Sequence, residues 1–455
     1  MTSEMTAAMA NRRVRVVPRA YTPYTAAASP MADYDFRVEM IGHASLRAHC
    51  RGKTLVTDPW WIDPLAPHSA AHFPPLVHDV DALAAATDIL YISHIHPDHF
   101  HPRTLARFRK DIPVYIAAHR RKEFRDKIAR LGFPVVECPF NEIVAVGGTD
   151  FEIAMIEHDY EENAAYDSSV VVRTPDFTLF DNNDCVLAAE KYRWVRENFR
   201  VDYAFLGYSP ASFFPICFEM DAREKQRLLA ASAERRYGDF VDAAMGVEPA
   251  VAIPFASGAR FLETGERWKN VAFNSAAEAT QRVCAAGIRG EVMAPGDRID
   301  AAGTFHQRNA PPPQHVELAA IESYAQTAAA RLDGIFPPDP PVRPGVVERF
   351  RDYLLDRWRA TGSLLPGVRQ YVIAYEVGDE RFYFDFSKPA DTAFARGTPE
   401  RYDMRYRYPA AGLQRKLDGE IDWDDLHFSR GVAVHQNRYA REFFMMLRSE
   451  MLDLG

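Results

Sequence analysis

Ile92-Ser93-His94-Ile95-His96-Pro97-Asp98-His99-Phe100-His101 is the stretch from which the fold is read. It continues the apolar run Ile89–Ser93 and places His94, His96, Asp98 and His99 within six residues. In extended chain, alternate side chains share a face, so His94 and His96 point the same way and both imidazoles can reach one metal ion. Pro97 turns the chain, and Asp98 and His99 beyond it can serve a second ion. Imidazole combined with carboxylate suits iron, zinc or manganese. A histidine-rich surface turn would account for one of these residues, but not for four of them capping a buried strand.

Working outward, short strand patterns recur at Phe36–Ile41, Thr54–Thr57, Ile89–Ser93, Val114–Ala117, Phe151–Ile156, Ser169–Val172 and Thr178–Phe180. Helix patterns lie between them at Pro102–Arg109 and Arg120–Leu131. Strands interleaved with helices predict a layered α/β domain over residues 34–308, behind a flexible, polar N-terminal tail over 1–33 in which Met31 is an alternative start. Residues 309–345 carry Pro311–Pro313 and five further prolines around one helix pattern, Val316–Leu332, and read as a stiff connector. Residues 346–455 read as a small α+β domain. Its parts are a helix over Val346–Ala360, a hairpin of Tyr371–Glu376 and Arg381–Phe386 turning at Gly378-Asp379, and a closing helix over Tyr439–Leu452.

Composition narrows the function classes. Basic residues number 54 against 63 acidic, a formal net charge of −9, which argues against a nucleic-acid partner because such partners favour a basic footprint. No run approaches the roughly 18 apolar residues that an integral membrane helix needs. Cys50, Cys138, Cys185, Cys217 and Cys284 are widely spaced and form no CxxC pair, so neither a disulfide framework nor a thiolate zinc site is indicated. A reducing, cytoplasmic setting is expected.

The HxHxDH pattern resembles the signature of the metallo-β-lactamase superfamily. That resemblance implies an αββα sandwich, two sheets between helices with a dinuclear site at the sheet edge. It also implies His158, after Ile153–Glu157, as a third histidine ligand, and Asp184 in preference to Asp181 as the bridging aspartate. The implied metal set is therefore His94, His96, Asp98, His99, His158 and Asp184, with Asp98 and Asp184 also catalytic. Asp58 matches a residue that orients a ligand histidine. One implied ligand is absent: the strand Ala250–Ile253 runs into Pro254–Gly258 without a histidine, and His306 falls past that loop. The second ion would then depend on Asp98, His99 and Asp184, with weak or open coordination.

Four blocks resemble, more narrowly, the metallo-β-lactamase portion of the CMP-N-acetylneuraminate hydroxylase group. They are Ile41–Ser45 with Thr57–Trp60, Asp167–Ser169 leading to Asn183–Cys185, Ser212–Phe218, and Pro254–Ala256. The segment Ile421–Leu426 is consistent with the same group. A Rieske iron–sulfur domain, which that group resembles having, needs cysteine–histidine pairs that do not occur here. The resemblance thus implies iron-dependent oxygenation (a monooxygenase-type hydroxylation) of a small polar metabolite, with electrons from a separate protein. The alternative is a dinuclear-metal hydrolase of a phosphodiester, phosphoester or lactone, using zinc or manganese and a metal-activated hydroxide.

Overall fold

Side-chain alternation along the strands sets the layers. The computed structural model describes residues 36–159, 167–210, 213–307, 318–336, 338–428 and 431–447. In the first sheet Val38, Leu55, Ile89 and Tyr91 face one core, while their neighbours Ile41, Val56, Leu90 and Ile92 face another. The second sheet behaves alike: Met155, Val170, Leu179 and Phe205 point inward, and Ile156, Val171, Phe180 and Leu206 outward. Strands buried on both faces must be apolar almost continuously, which is why these runs lack polar alternation.

The first sheet has eight strands in the order Phe305–His306, Arg298–Asp300, Phe36–Gly42, Ser45–Cys50, Lys53–Thr57, Ile89–Tyr91, Val114–Ala117 and Val135–Cys138. The second has six, in the order Val251–Phe255, Tyr203–Gly207, Thr178–Asn183, Ser168–Arg173, Glu152–Glu157 and Ile143–Ala145. Their inner faces share one core. Leu83, Leu105, Phe124 and Ile128 cover the first sheet from outside. Helices Ala189–Asn198, Ala222–Val247 and Ala276–Ala285 cover the second through Tyr192, Val195, Phe240 and Val283. The result is the expected αββα sandwich. Ile89–Tyr91 runs parallel between Lys53–Thr57 and Val114–Ala117, so its carboxyl end opens at the sheet edge where ligands of α/β sheets bind.

A third sheet has the order Phe218–Glu219, Ala433–Gln436, Met404–Tyr408, Val372–Val377, Glu380–Asp385 and Phe394–Arg396. It packs on the helix Val346–Thr361 through Phe350, Leu354 and Trp358, with Trp423 buried in the same cluster. Its edge strand Phe218–Glu219 comes from the middle of the chain and pairs in parallel with Ala433–Gln436, Phe218 opposite Val434.

Some elements differ from the sequence reading. The strand expected to reach Ser93 ends at Tyr91, because the Ser93 N–H donates to Asp58 Oδ1 at 2.7 Å. The helix expected over Pro102–Arg109 is one turn, Pro102–Leu105, and the helix expected over Arg120–Leu131 is Glu123–Arg130. Val316–Leu332 begins outside the described residues and is broken at Ala328 into Leu318–Thr327 and Ala329–Ile335. The change of direction lets Ile321, Tyr324 and Leu332 all press on Phe73 and Leu262. The long helix Ala222–Val247 was not read at all, since its buried residues begin only at Tyr237 and its first half carries no apolar stripe. Asp221 caps it, accepting from the N–H groups of Arg223 and Glu224. The closing helix is Arg441–Leu447, with 448–452 outside the described residues, as are the tail over 1–33 and Pro311–Pro313.

Candidate metal centre

The loop after Ile89–Tyr91 is anchored by Asp58, which ends the neighbouring parallel strand. Its Oδ1 accepts the Ser93 N–H, and its Oδ2 lies 2.7 Å from Ser93 Oγ and 2.8 Å from His99 Nδ1. The loop then closes as a turn, with the His99 and Phe100 N–H groups both donating to the His96 carbonyl. The ring of His99 is thereby held from behind with Nε2 aimed inward. Asp58 stands where the resemblance placed an orienting residue, and the ligand that it orients is His99.

Five of the six expected ligands converge. His94 Nε2 lies 2.8 Å from His96 Nδ1 and 3.9 Å from Asp184 Oδ2, and His99 Nε2 lies 3.5 Å from the same oxygen. Asp98 joins them from the side, its Oδ2 3.8 Å from His99 Nε2. His158, at the end of Glu152–Glu157, stands further back. Its Nε2 accepts the Val186 N–H at 3.3 Å, and its Nδ1 lies 3.3 Å from Asp167 Oδ2. Asp167 separates it from His94, whose Nδ1 is 3.5 Å from Asp167 Oδ1. His306 is not brought to the centre: it sits on the outermost strand of the first sheet, with Nε2 2.6 Å from Asp300.

The donors fit a cation on physical grounds. With Nδ1 facing Asp58, the natural tautomer of neutral His99 presents a lone pair at Nε2, an atom buried without a hydrogen-bond partner among the described residues. A lone pair turned toward the carboxylates of Asp98 and Asp184 is repulsive unless a positive charge lies between them. Burial disfavours charge on His99, yet Asp58, Asp184 and Asp98 hold its proton affinity well above the ordinary imidazole value. The field that favours a proton there favours a metal ion equally. Burial pushes His94 the other way, down to about 4, which keeps its ring neutral and available as a ligand. Burial opposes charge on Asp98 and Asp184 too, but the surrounding histidines, His99 foremost, hold both carboxyls below their usual range. Among the described residues, three sets have donor atoms within 4.8 Å of one another: His94, His99 and Asp184; His43, Asp98 and His99; His158, Asp167 and Cys185.

Asp181, the alternative to Asp184, is fully buried, and burial together with the nearby charge of Asp58 raises its carboxyl well above the usual range.

Two residues at the centre were not among the expected ligands. His43 follows the first strand, its Nε2 3.1 Å from Asp98 Oδ2, while its Nδ1 accepts the Gly258 N–H at 3.1 Å. That bond places the neutral ring's proton on Nε2, facing Asp98, so His43 orients this carboxylate. A Cβ on Gly258 would lie 2.8 Å from the His43 backbone nitrogen, so the Pro254–Gly258 loop meets the centre by packing on His43. Asp167 is the other; burial opposes its charge, but His94 and His158 hold the carboxyl well below the usual range. Both residues belong to the quoted sequence blocks, and only distance along the chain from the HxHxDH run hid their roles.

The centre forms one end of a cavity of about 640 Å³, lined there by His43, His96, Asp98, His158, Asp167 and Asp184. Phe213, Phe214, Phe218, Phe261, Phe273 and Phe428 supply much of the remaining wall.

Residues 37–170 match the family described as the beta-lactamase superfamily domain. A Mycobacterium tuberculosis protein named as a Rieske 2Fe-2S iron-sulfur protein is 25% identical over 458 residues, covering 91% of this chain and 85% of its own. The cytidine monophosphate-N-acetylneuraminic acid hydroxylase of Xenopus laevis is 33% identical over 95 residues, 20% of this chain and 16% of that one. Among solved structures, CmlA, a diiron beta-hydroxylase from Streptomyces venezuelae, is 18% identical with a TM-score of 0.40, covering 58% of this chain and 54% of its own. Over residues 37–170 the chain is thus similar to the beta-lactamase superfamily domain, and the αββα sandwich that contains them is the arrangement of the metallo-β-lactamase fold.

Proposed function

We propose that this chain is an iron-dependent oxygenase of the hydroxylase type, drawing electrons from a separate protein. The observation that carries a metal-dependent reading is the buried Nε2 of His99 facing Asp98 and Asp184, beside the converging rings of His94 and His96. His94, His96, His99 and Asp184, with Asp98 held by His43, would hold one or two divalent ions. Bound there, they would supply Lewis acidity and, as iron, redox chemistry with dioxygen. The chain's own residues hold the ligands in place: Asp58 and Ser93 on His99, and His43 on Asp98. Oxygenation is supported by the four hydroxylase-like blocks and by the local similarity to the Xenopus laevis hydroxylase. The cavity walls favour a substrate with an apolar body over a small polar metabolite.

Hydrolysis of a phosphodiester, phosphoester or lactone is the second reading, supported by the Asp184 carboxylate, whose Oδ2 lies 3.9 Å from His94 Nε2 and 3.5 Å from His99 Nε2. Elemental analysis after aerobic purification separates the two. Iron near stoichiometry, with oxygen consumption driven by a supplied reductant, is the expected result. Stoichiometric zinc or manganese together with turnover of a model phosphodiester would replace oxygenation by hydrolysis.

A further inference from the structure

The cavity is closed on one side by the helix Trp423–Phe428, which contributes Asp424, Asp425 and Phe428 to the wall. Asp425 is 9% exposed. Its N–H donates to Asp422 Oδ1 at 2.8 Å, and its Oδ2 accepts the Asp422 N–H at 3.2 Å. Its Oδ1 is buried with no hydrogen-bond partner among the described residues. A buried carboxylate oxygen without a donor is costly, and a native structure retains one where something else supplies that donor. Arg103, whose charge Asp425 feels, directs its Nη2 to the carbonyls of Ile62 and Pro64 instead. The only cationic side chain among the cavity's described lining residues is Arg236, which pairs with Asp239. Phe428, on the same helix as Asp425, lines the cavity with Phe213 and Phe261, and these rings give an apolar body a surface to pack on.

We propose that this side of the cavity is a subsite for the amino group of a substrate whose aromatic or aliphatic body fills the phenylalanine-lined space, with Asp425 as its anchor. Its role as a substrate site rests on the metalloenzyme reading above; the binding itself does not.

The probes are 4-phenylbutylamine, 4-phenylbutan-1-ol and 4-phenylbutanoate, titrated calorimetrically into the full chain before and after metal removal by chelation. The amine should bind about 10- to 100-fold more tightly than the alcohol, the range for a hydrogen bond to a charged group, with the carboxylate weakest. Asp425→Asn keeps an acceptor for the Asp422 N–H, and should erase the amine's advantage while leaving alcohol affinity within about twofold. Equal binding of amine and alcohol, an advantage that survives in Asp425→Asn, or no binding of any probe at millimolar concentration would each overturn the proposal. If Asp425→Asn does not fold, a crystal structure of the unaltered chain with the amine decides: its nitrogen belongs within hydrogen-bond distance of Asp425, and any other position refutes the subsite. An amine preference that persists in a chain binding no metal would leave the subsite standing and defeat the metalloenzyme reading alone.

Discussion

Asp58 shows how much of a metal centre depends on a side chain that never touches the metal. It occupies left-handed backbone (φ 39°), an unfavourable conformation for a residue other than glycine, and in return serves Ser93 twice and His99 once. Replacing it with alanine should weaken metal binding about 10- to 100-fold, the usual effect of losing a ligand's support, and titration against a chelating dye would measure it. His94→Ala and His96→Ala remove donors outright and should abolish most metal binding; full occupancy in either by elemental analysis would overturn the ligand assignment. At the acidic positions, Asp184→Asn should leave one ion bound, because a neutral amide bridges two cations poorly. Asp181→Asn should change metal content little, since burial and the charge of Asp58 already disfavour a charged carboxylate there. The reverse pattern would make Asp181 the bridge. At this scale the HxHxDH ligands were readable because one strand and one turn bring them together. His43 and Asp167 were not, because their roles arise from loops far apart in sequence meeting at one sheet edge.

Among the elements, the strand Phe36–Gly42 carries an unusual burden, the buried carboxylate of Glu39. It lies 2.6 Å from Arg298, 3.0 Å from His78 and 3.3 Å from Arg47, tying together the adjacent strands Arg298–Asp300 and Ser45–Cys50. Burial opposes its charge, but His78, Arg298 and Arg47 outweigh burial and hold its carboxyl below the usual range. A carboxyl depressed by folding adds stability above its unfolded pKa and loses it as pH falls through the lower folded value. Glu39→Gln should therefore destabilise the chain by about 3 kcal/mol at neutral pH, by stranding buried cations. Urea unfolding at a series of pH values should show that difference shrinking in acid, and a constant difference would refute the ion-pair account. Strands of this kind were legible as apolar runs, and hairpins as turn residues between them. The helix Ala222–Val247 was not, because a helix that buries only its second half shows no continuous stripe. The break at Ala328 was equally hidden, since no proline or glycine marks it and packing on Phe73 and Leu262 decides it.

For the whole molecule, the strand Phe218–Glu219 links what would otherwise be separate units. Phe218 is buried in the core beneath the third sheet and lines the cavity as well, while Glu219 pairs with Arg405 and Arg407 across that sheet. Unfolding of the third sheet thus removes one wall of the cavity. A single calorimetric transition is expected, and two well-separated ones would show that the sandwich and the third sheet are energetically independent. Phe218→Ala should cost about 3 kcal/mol or more and lower that transition as a whole, as large-to-small substitutions in a well-packed core do.

The same strand sets a schedule for the nascent chain. Phe218 pairs with Val434, so 434 − 218 = 216 residues must be added before the pair can form. At ribosomal speeds of about 5 to 20 residues per second, that is roughly 10 to 40 s after Phe218 is polymerised. Throughout that interval Phe213 and Phe218 lack the segment that packs on them, and the sandwich can close around its own core while this aromatic flap stays open. Synthesis is therefore the moment at which the chain is most exposed to self-association, and chaperone demand should peak between completion of the second sheet and arrival of Ala433–Gln436.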